Sequence, residues 1–178
     1  MVRVGARGAS VKVRSAVVDD AAAITQAQIA AWREAYQGVI RDETLAALDD
    51  NIREDRWRTV LRHGRHLVAE SAGAVVGFAS FGPARSEGEE GRAEVYSLYV
   101  HPDSWGIGAG RALMEQMEKE LCASGYDEAM LWVLDDNPRA RRFYERAGWH
   151  DDGGRDVYDG DDSGATIARY RLRLSERG

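Results

Sequence analysis

VYSLYVHPDSWGIGAGRALMEQMEKEL, residues 95–121, reads as a strand, a glycine-rich turn and a helix in immediate succession. Val95–Val100 is β-branched and aromatic, the composition of a strand. Pro102 has no N–H to give to a ladder, so the strand stops before it. Gly106, Gly108 and Gly110 then alternate through the turn. From Gly110 on, Leu113, Met114, Met117 and Leu121 recur at helical spacing and give one buried stripe. A helix N-terminus presents unpaired amides and a partial positive charge, which suits a phosphate. Glycine lets the backbone come close to such a ligand, so no side chain is expected to be tolerated at Gly108 or Gly110. A plain strand–helix turn needs one glycine, and three alternating ones favour a ligand. Two other phosphate sites do not fit: Arg111 stands where G-x-G-x-x-G requires its third glycine, and G-x-x-x-x-G-K-[ST] is absent.

A second stretch has its own grammar. In NPRARRFYERAGW, residues 137–149, Asn137 suits an N-cap and Pro138 the first helical position. Ala140, Phe143, Tyr144 and Ala147 form the buried row, and Gly148 suits the residue past the helix end. Together the two stretches resemble the GNAT N-acetyltransferase superfamily. Val100, Pro102, Gly106, Gly108 and Gly110 match its acyl-CoA-binding motif, a V-x-P-x-x strand end followed by Arg/Gln-x-x-Gly-x-Gly/Ala, with Trp105 in the place of Arg/Gln. Asn137 to Trp149 match its N-x-x-A-x-x-F-Y-E-x-x-G-[FW] at each specified position.

The resemblance implies an α/β domain with a mixed, largely antiparallel central sheet flanked by helices. It implies acetyl transfer from acetyl-CoA to a primary amine by direct attack in a ternary complex, without a metal. Two central parallel strands would splay, and the main chain of Leu98 and Val100 would pair with the pantetheine arm between them. Backbone amides of Gly106, Ile107, Gly108, Ala109, Gly110 and Arg111 would hold the pyrophosphate. Arg111, Arg139 and Arg142 are candidates for the nucleotide phosphate, against a plain role on solvated helix faces. Asn137 would touch the pantetheine arm, although capping alone accounts for it. Tyr144 would protonate the leaving sulfur; its alternative role is core packing beside Phe143. Glu94 would be the base, often through water, or else a surface carboxylate at a strand start. The first helix would wall the acceptor site with Trp32 and Tyr36, each of which carries a polar atom that needs a partner.

At 178 residues the chain suits one domain, with residues 1–10 a loose arm and 11–178 the acetyltransferase domain. A net charge of −6 argues against a general nucleic-acid binder. The single cysteine, Cys122, fits a reducing compartment and reads as core. With neither a signal peptide nor a long apolar run, the expected location is cytoplasmic and no membrane partner is expected. The four histidines, His63, His66, His101 and His150, show no metal-ligand spacing.

In chain order, residues 11–18 read as a strand and Asp19 or Asp20 as the cap of the helix that follows. In that helix Ile24, Ala27 and Ala31 make one apolar row, and Ile29, Trp32 and Tyr36 a second. Residues 52–63 predict an amphipathic helix with Ile52, Trp57, Val60 and Leu61 inward. Residues 66–70 and 74–82 predict a hairpin across Ser71-Ala72-Gly73, and residues 83–92 a charged, mobile loop. In residues 93–100, simple alternation puts Glu94, Tyr96 and Leu98 on one face and Val95, Ser97 and Tyr99 on the other, unless a bulge intervenes. Strands are expected again at 128–134, from 149, and at 165–174.

The expected acceptor is a small free amine: an amino acid, a polyamine or an amine-bearing antibiotic. Trp32–Leu48 motivates this, with rings four residues apart at Trp32 and Tyr36 and carboxylates at Glu34 and Glu43 that could help a cation. The alternatives are a protein N-terminal or lysine acetyltransferase, and an acyl-CoA-binding sensor without turnover. A homodimer is compatible with the sequence.

Overall fold

Residues 10–160 and 163–174 are described by the computed structural model, so the N-terminal arm lies, apart from Ser10, outside the described residues. Seven strands form one sheet: β1 (Lys12–Ser15), β2 (Arg65–Ser71), β3 (Ala74–Pro83), β4 (Ala93–Val100), β5 (Glu128–Leu134), β6 (His150–Val157) and β7 (Thr166–Arg173). Their order is β1-β2-β3-β4-β5-β7-β6, antiparallel at every junction except β4–β5. Five helices flank it: α1 (Ala21–Ala35), α2 (Asp42–Ala46), α3 (Asp50–Val60), α4 (Ala109–Ala123) and α5 (Pro138–Arg146). The mixed sheet flanked by helices is the architecture that the sequence implies.

The stripe Leu113, Met114, Met117 and Leu121 of α4 packs into one core with Phe81, Val95, Leu131 and Tyr170 of the sheet. Each such side chain, fully removed from water, contributes about 1.5–3 kcal/mol. The opposite face of the sheet carries Val68 and Phe78, which meet Ile24 and Ala27 of α1 and Trp57 of α3. A third cluster joins Ile29, Leu45 and Leu134 with Trp32 and Tyr36 beside it. Both apolar rows of α1 are therefore used, each against a different cluster.

The hairpin between β2 and β3 turns on Ala72 (φ 51°) and Gly73 (φ 82°). Positive φ at both central residues gives the turn whose twist matches the flanking strands.

Three expectations are corrected. Simple alternation fails in β4, because Ser80 pairs with Ser97 but Phe81 pairs with Val95, leaving Tyr96 as an inserted residue. The insertion flips the parity: Val95, Leu98 and Val100 share the α4 face, while Tyr99 joins Phe78 on the other. Ile52 is 71% exposed rather than inward. The inner face of α3 runs through Arg53, Trp57 and Val60, since the helical repeat places Ile52 a quarter-turn away. Asp20 precedes α1 but gives no side-chain cap. Its carboxylate is turned to Arg14, which donates at 2.7 and 2.8 Å, and to the Val17 amide at 2.8 Å.

Charged residues 84–92 are pinned to the sheet at Arg85, Glu89 and Arg92. Buried Glu89 accepts from Arg169 at 2.7 Å and Arg171 at 2.6 Å, both on the β7 face away from α4. Arg171 also donates to Glu128 of β5 at 2.6 Å and to Asp152 of β6.

Candidate active site

Parallel pairing between β4 and β5 covers only Ala93–Val95 against Ala129–Leu131. Beyond it β4 runs to Val100 and β5 to Leu134, the first held only by β3 and the second only by β7. The facing backbone edges are left unpaired, an arrangement an extended chain bearing amides can fill. A cavity of about 1640 Å³ occupies this wedge. It runs from Trp32 and Arg53 past Tyr99 and Tyr144 to Gly108 and Arg139.

At the glycine turn, Gly106 (φ 86°) and Gly108 (φ 92°) lie in the left-handed region, with open space where a Cβ would stand. They are needed for their backbone rather than for clearance. Gly108 leads directly into α4, whose first amides open towards the cavity mouth. Gly110 differs: it is helical, and a Cβ there would meet Phe143 at 3.4 Å, close to ordinary contact. The expectation that Gly110 must lack a side chain is not what this backbone requires. Ile107 is exposed in the turn and Ala109 is buried at the helix start.

Trp105 has a defined task in its unusual place. Its indole N–H donates to the Val100 carbonyl at 2.8 Å, fastening the turn back to the end of β4. That carbonyl, expected to face a pantetheine arm, thus already holds one hydrogen bond. The Arg139 guanidinium lies 3.3 Å from the centre of the Trp105 ring, so α5 and the turn are stacked together. Arg111 is exposed and pairs with Glu115 at 2.7 Å. Arg111 and Arg139 both border the cavity; Arg142 does not.

Asn137 is buried and caps α5, its side-chain oxygen accepting from the Ala140 amide at 3.0 Å. Capping fixes the first turn of α5 and with it Tyr144 two turns on. Phe143, Trp149 and Tyr170 surround the Tyr144 ring at centroid distances of 5.3, 6.3 and 6.2 Å. Its hydroxyl makes no hydrogen bond among the described residues, and Tyr144 lines the cavity. Burial, reinforced by the nearby Tyr99 phenol, pushes its pKa well above that of a free phenol. It is therefore a proton carrier at neutral pH, not a phenolate.

Glu94 is buried rather than a surface carboxylate. It accepts from the Arg85 amide at 2.8 Å and from the Arg85 guanidinium at 3.2 Å. Arg85 in turn lies 3.8 Å over the Tyr96 ring, at the bulge. Glu94 lines the cavity on the side of residues 84–92.

At the far end, Trp32 and Tyr36 pack with their planes tilted by 59° and 5.4 Å between ring centres, and the Tyr36 and Tyr99 hydroxyls are 3.1 Å apart. The Trp32 indole N–H is close enough to Tyr99 to favour its ionised form, yet falls outside hydrogen-bond geometry and has no partner. Burial outweighs this, and both Tyr36 and Tyr99 stay neutral, their pKa values raised. Glu34 and Glu43, the carboxylates expected to help a cation, are exposed and do not line the cavity. Arg53 does, 4.9 Å over the Trp32 ring. Sequence reasoning missed Arg53 and Tyr99. The i, i+4 spacing of Arg53 and buried Trp57 was the available signal for the first, and the bulge hid the second.

Other candidates have structural partners. The His101 ring accepts from the Asp103 amide at 3.3 Å, and the Cys122 thiol donates to the Leu174 carbonyl at 3.4 Å. Among the described residues no group of His, Cys, Asp or Glu could hold a metal ion, and no helix is long and apolar enough to cross a membrane.

Known proteins share both sequence and fold. Residues 27–149 match the family model described as Acetyltransferase (GNAT) family. The chain is 34% identical to the uncharacterized N-acetyltransferase YuaI of Bacillus subtilis (strain 168) over 128 residues, 72% of this chain and 74% of that protein. YncA of Salmonella typhimurium, solved with acetyl-CoA, superposes with a TM-score of 0.71 at 25% identity over 95% of this chain and 96% of its own. The PaiA N-acetyltransferase of Thermoplasma acidophilum, solved with coenzyme A, shares the fold at a TM-score of 0.66 and 20% identity, over 90% of this chain and 98% of its own. With its wedge between β4 and β5, its glycine turn and its capped α5, the chain belongs to the GNAT family and is an acetyl-CoA-dependent acyltransferase.

Proposed function

We propose that the protein transfers the acetyl group of acetyl-CoA to the primary amine of a small molecule, by direct attack while both are bound. The observation that carries this reading is the wedge itself. Unpaired backbone of β4 and β5 leads from the Gly106–Gly108 turn to the Tyr144 hydroxyl and on to an aromatic chamber. The relatives solved with coenzyme A or acetyl-CoA support the same cosubstrate here.

Acetyl-CoA supplies an electrophilic thioester carbonyl and a thiol as leaving group. The residues around it supply position and protons. Backbone amides of residues 106–111 hold the pyrophosphate, with Arg111 and Arg139 available to the outer phosphate. The free edge of β4 at Leu98, with what capacity remains at the Val100 carbonyl, orients the pantetheine arm. Asn137 acts first by capping α5 and so positioning Tyr144. Tyr144, kept protonated by burial, gives its proton to the departing sulfur. Glu94 takes the amine proton through water, its carboxylate held in place by Arg85. Trp32 and Tyr36 wall the acceptor.

A library of small amines and of lysine-bearing peptides, incubated with acetyl-CoA and read by free-thiol release, tests the proposal. Thiol release with a small amine and an acetylated product is expected. Acetylation of peptide lysines or N-termini with no small amine consumed overturns the small-molecule reading. Binding of acetyl-CoA with no transfer to any amine favours the sensor alternative.

A further inference from the structure

The acceptor end of the cavity has an unusual charge. Arg53 is half-buried, yet among the described residues it has no carboxylate partner; its contact is the face of Trp32 at 4.9 Å. The other half-buried arginines among the described residues, Arg14, Arg92, Arg141, Arg169 and Arg171, each touch at least one carboxylate at 3.5 Å or closer. Arg56, on the next turn side, also borders the cavity and adds a second positive charge near Arg53. Burial and Arg56 together press against the charged form of Arg53, lowering its pKa from the ordinary value. A guanidinium kept half out of water, next to another cation, is costly unless an anion arrives.

The neighbours suit an anion as well. Tyr36 and Tyr99, phenols kept neutral by burial, lie with Tyr158 around Arg53 and Trp32, and the buried Trp32 N–H is an unused donor. The chamber thus offers a forked guanidinium and N–H and O–H donors. The carboxylates that do line the cavity, Glu94, Asp156 and Asp159, make no ion pair with Arg53.

We propose that the acceptor carries an acidic group next to its amine, as a carboxylate-bearing amino acid does, and that Arg53 binds that group against Trp32 and the Tyr36–Tyr99 pair. This rests on the reading of the protein as a small-amine acetyltransferase and narrows it. Tyr99, which feels both Arg53 and Tyr144, spans the interval from the anion to the proton donor, so the amine would lie towards Tyr144. A polyamine or a lysine-rich peptide would bring cations to a site that already holds two.

The test uses the full chain, acetyl-CoA, the standard L-α-amino acids, the matching α-carboxamides and spermidine, with kcat/KM read by thiol release. At least one free amino acid should exceed its own carboxamide by about thirtyfold, the scale of one desolvated charge pair. The amine of the carboxamide is the less basic, so amine ionisation works against this preference rather than for it. Arg53→Gln should collapse the ratio to within about threefold through KM, and Arg53→Lys should retain part of it. Calorimetry with CoA checks that each variant is folded. Carboxamides or spermidine used as well as the free acids by the unaltered protein would overturn this inference alone. No transfer to any amine of this panel, with CoA still bound, would overturn this inference, and the wider amine library then decides whether the small-amine reading falls with it.

Discussion

Gly108→Ala isolates the backbone demand of the glycine turn. At φ 92° and ψ 2° Gly108 lies in the left-handed region, and its virtual Cβ meets no atom within 4 Å. Any effect of a methyl group there is backbone strain, of about 1–2 kcal/mol for an L-residue. That strain can surface in two places. If the turn keeps its conformation, global stability falls by about 1–2 kcal/mol and CoA affinity is unchanged. If the turn relaxes to negative φ, stability is spared, but rebuilding the turn on binding raises the CoA Kd, about tenfold per 1.4 kcal/mol. The two losses should therefore sum to about 1–2 kcal/mol. Gly110→Ala is the control: the position is helical and the methyl group lands 3.4 Å from Phe143. Replacing glycine by alanine in a helix gains about 0.5–1 kcal/mol, less a few tenths for that contact, so stability should hold or rise. Urea denaturation and titration calorimetry with CoA measure both quantities. A Gly108→Ala protein with stability and affinity both unchanged would refute the reasoning, as would a Gly110→Ala protein losing as much as Gly108→Ala.

Tyr144→Phe should lower kcat on the order of 100-fold with CoA affinity intact, since the ring packing is kept and only the proton carrier is lost; steady-state kinetics beside calorimetry separates the two. Trp105→Phe removes the donor to the Val100 carbonyl and should cost about 0.5–1.5 kcal/mol in urea denaturation. Asp20 is held below the usual carboxylate range by its hydrogen bonds from Arg14, against the opposing effect of burial. A depressed folded pKa means that its contribution is present above the unfolded value, about 3.9, and is lost as pH falls through the folded one. Asp20→Asn should therefore lose stability at pH 7 and flatten the decline in Tm below about pH 4.

Much of this was legible because two elements announce themselves locally. The Gly106–Leu121 and Asn137–Gly148 segments contain their own turn, cap and stripe, and each forms at the expected place. What was not legible depends on register. A single inserted residue, Tyr96, decides whether Tyr99 faces α4 or the acceptor chamber, and only pairing with β3 reveals it. Ile52 looked inward because it is apolar, but the phase of α3 is set by Trp57. Asp20 looked like a cap because of its position, yet Arg14 offers two charge-assisted hydrogen bonds where the helix offers neutral amides. Arg53 was hidden in a charged run, NIREDRWR, most of which is solvated.

The three-pair seam between β4 and β5 has a mechanical corollary. Past Leu131 no ladder sets the separation of the two strands; the side chains beneath them do, through the cluster that joins Val95, Leu113, Met117 and Leu131. A close-packed interior yields little to a change of volume. The gauge of the slot is thus written in apolar residues that never meet a ligand, and trimming or enlarging Met117 would be felt as a change in how tightly the cosubstrate is gripped.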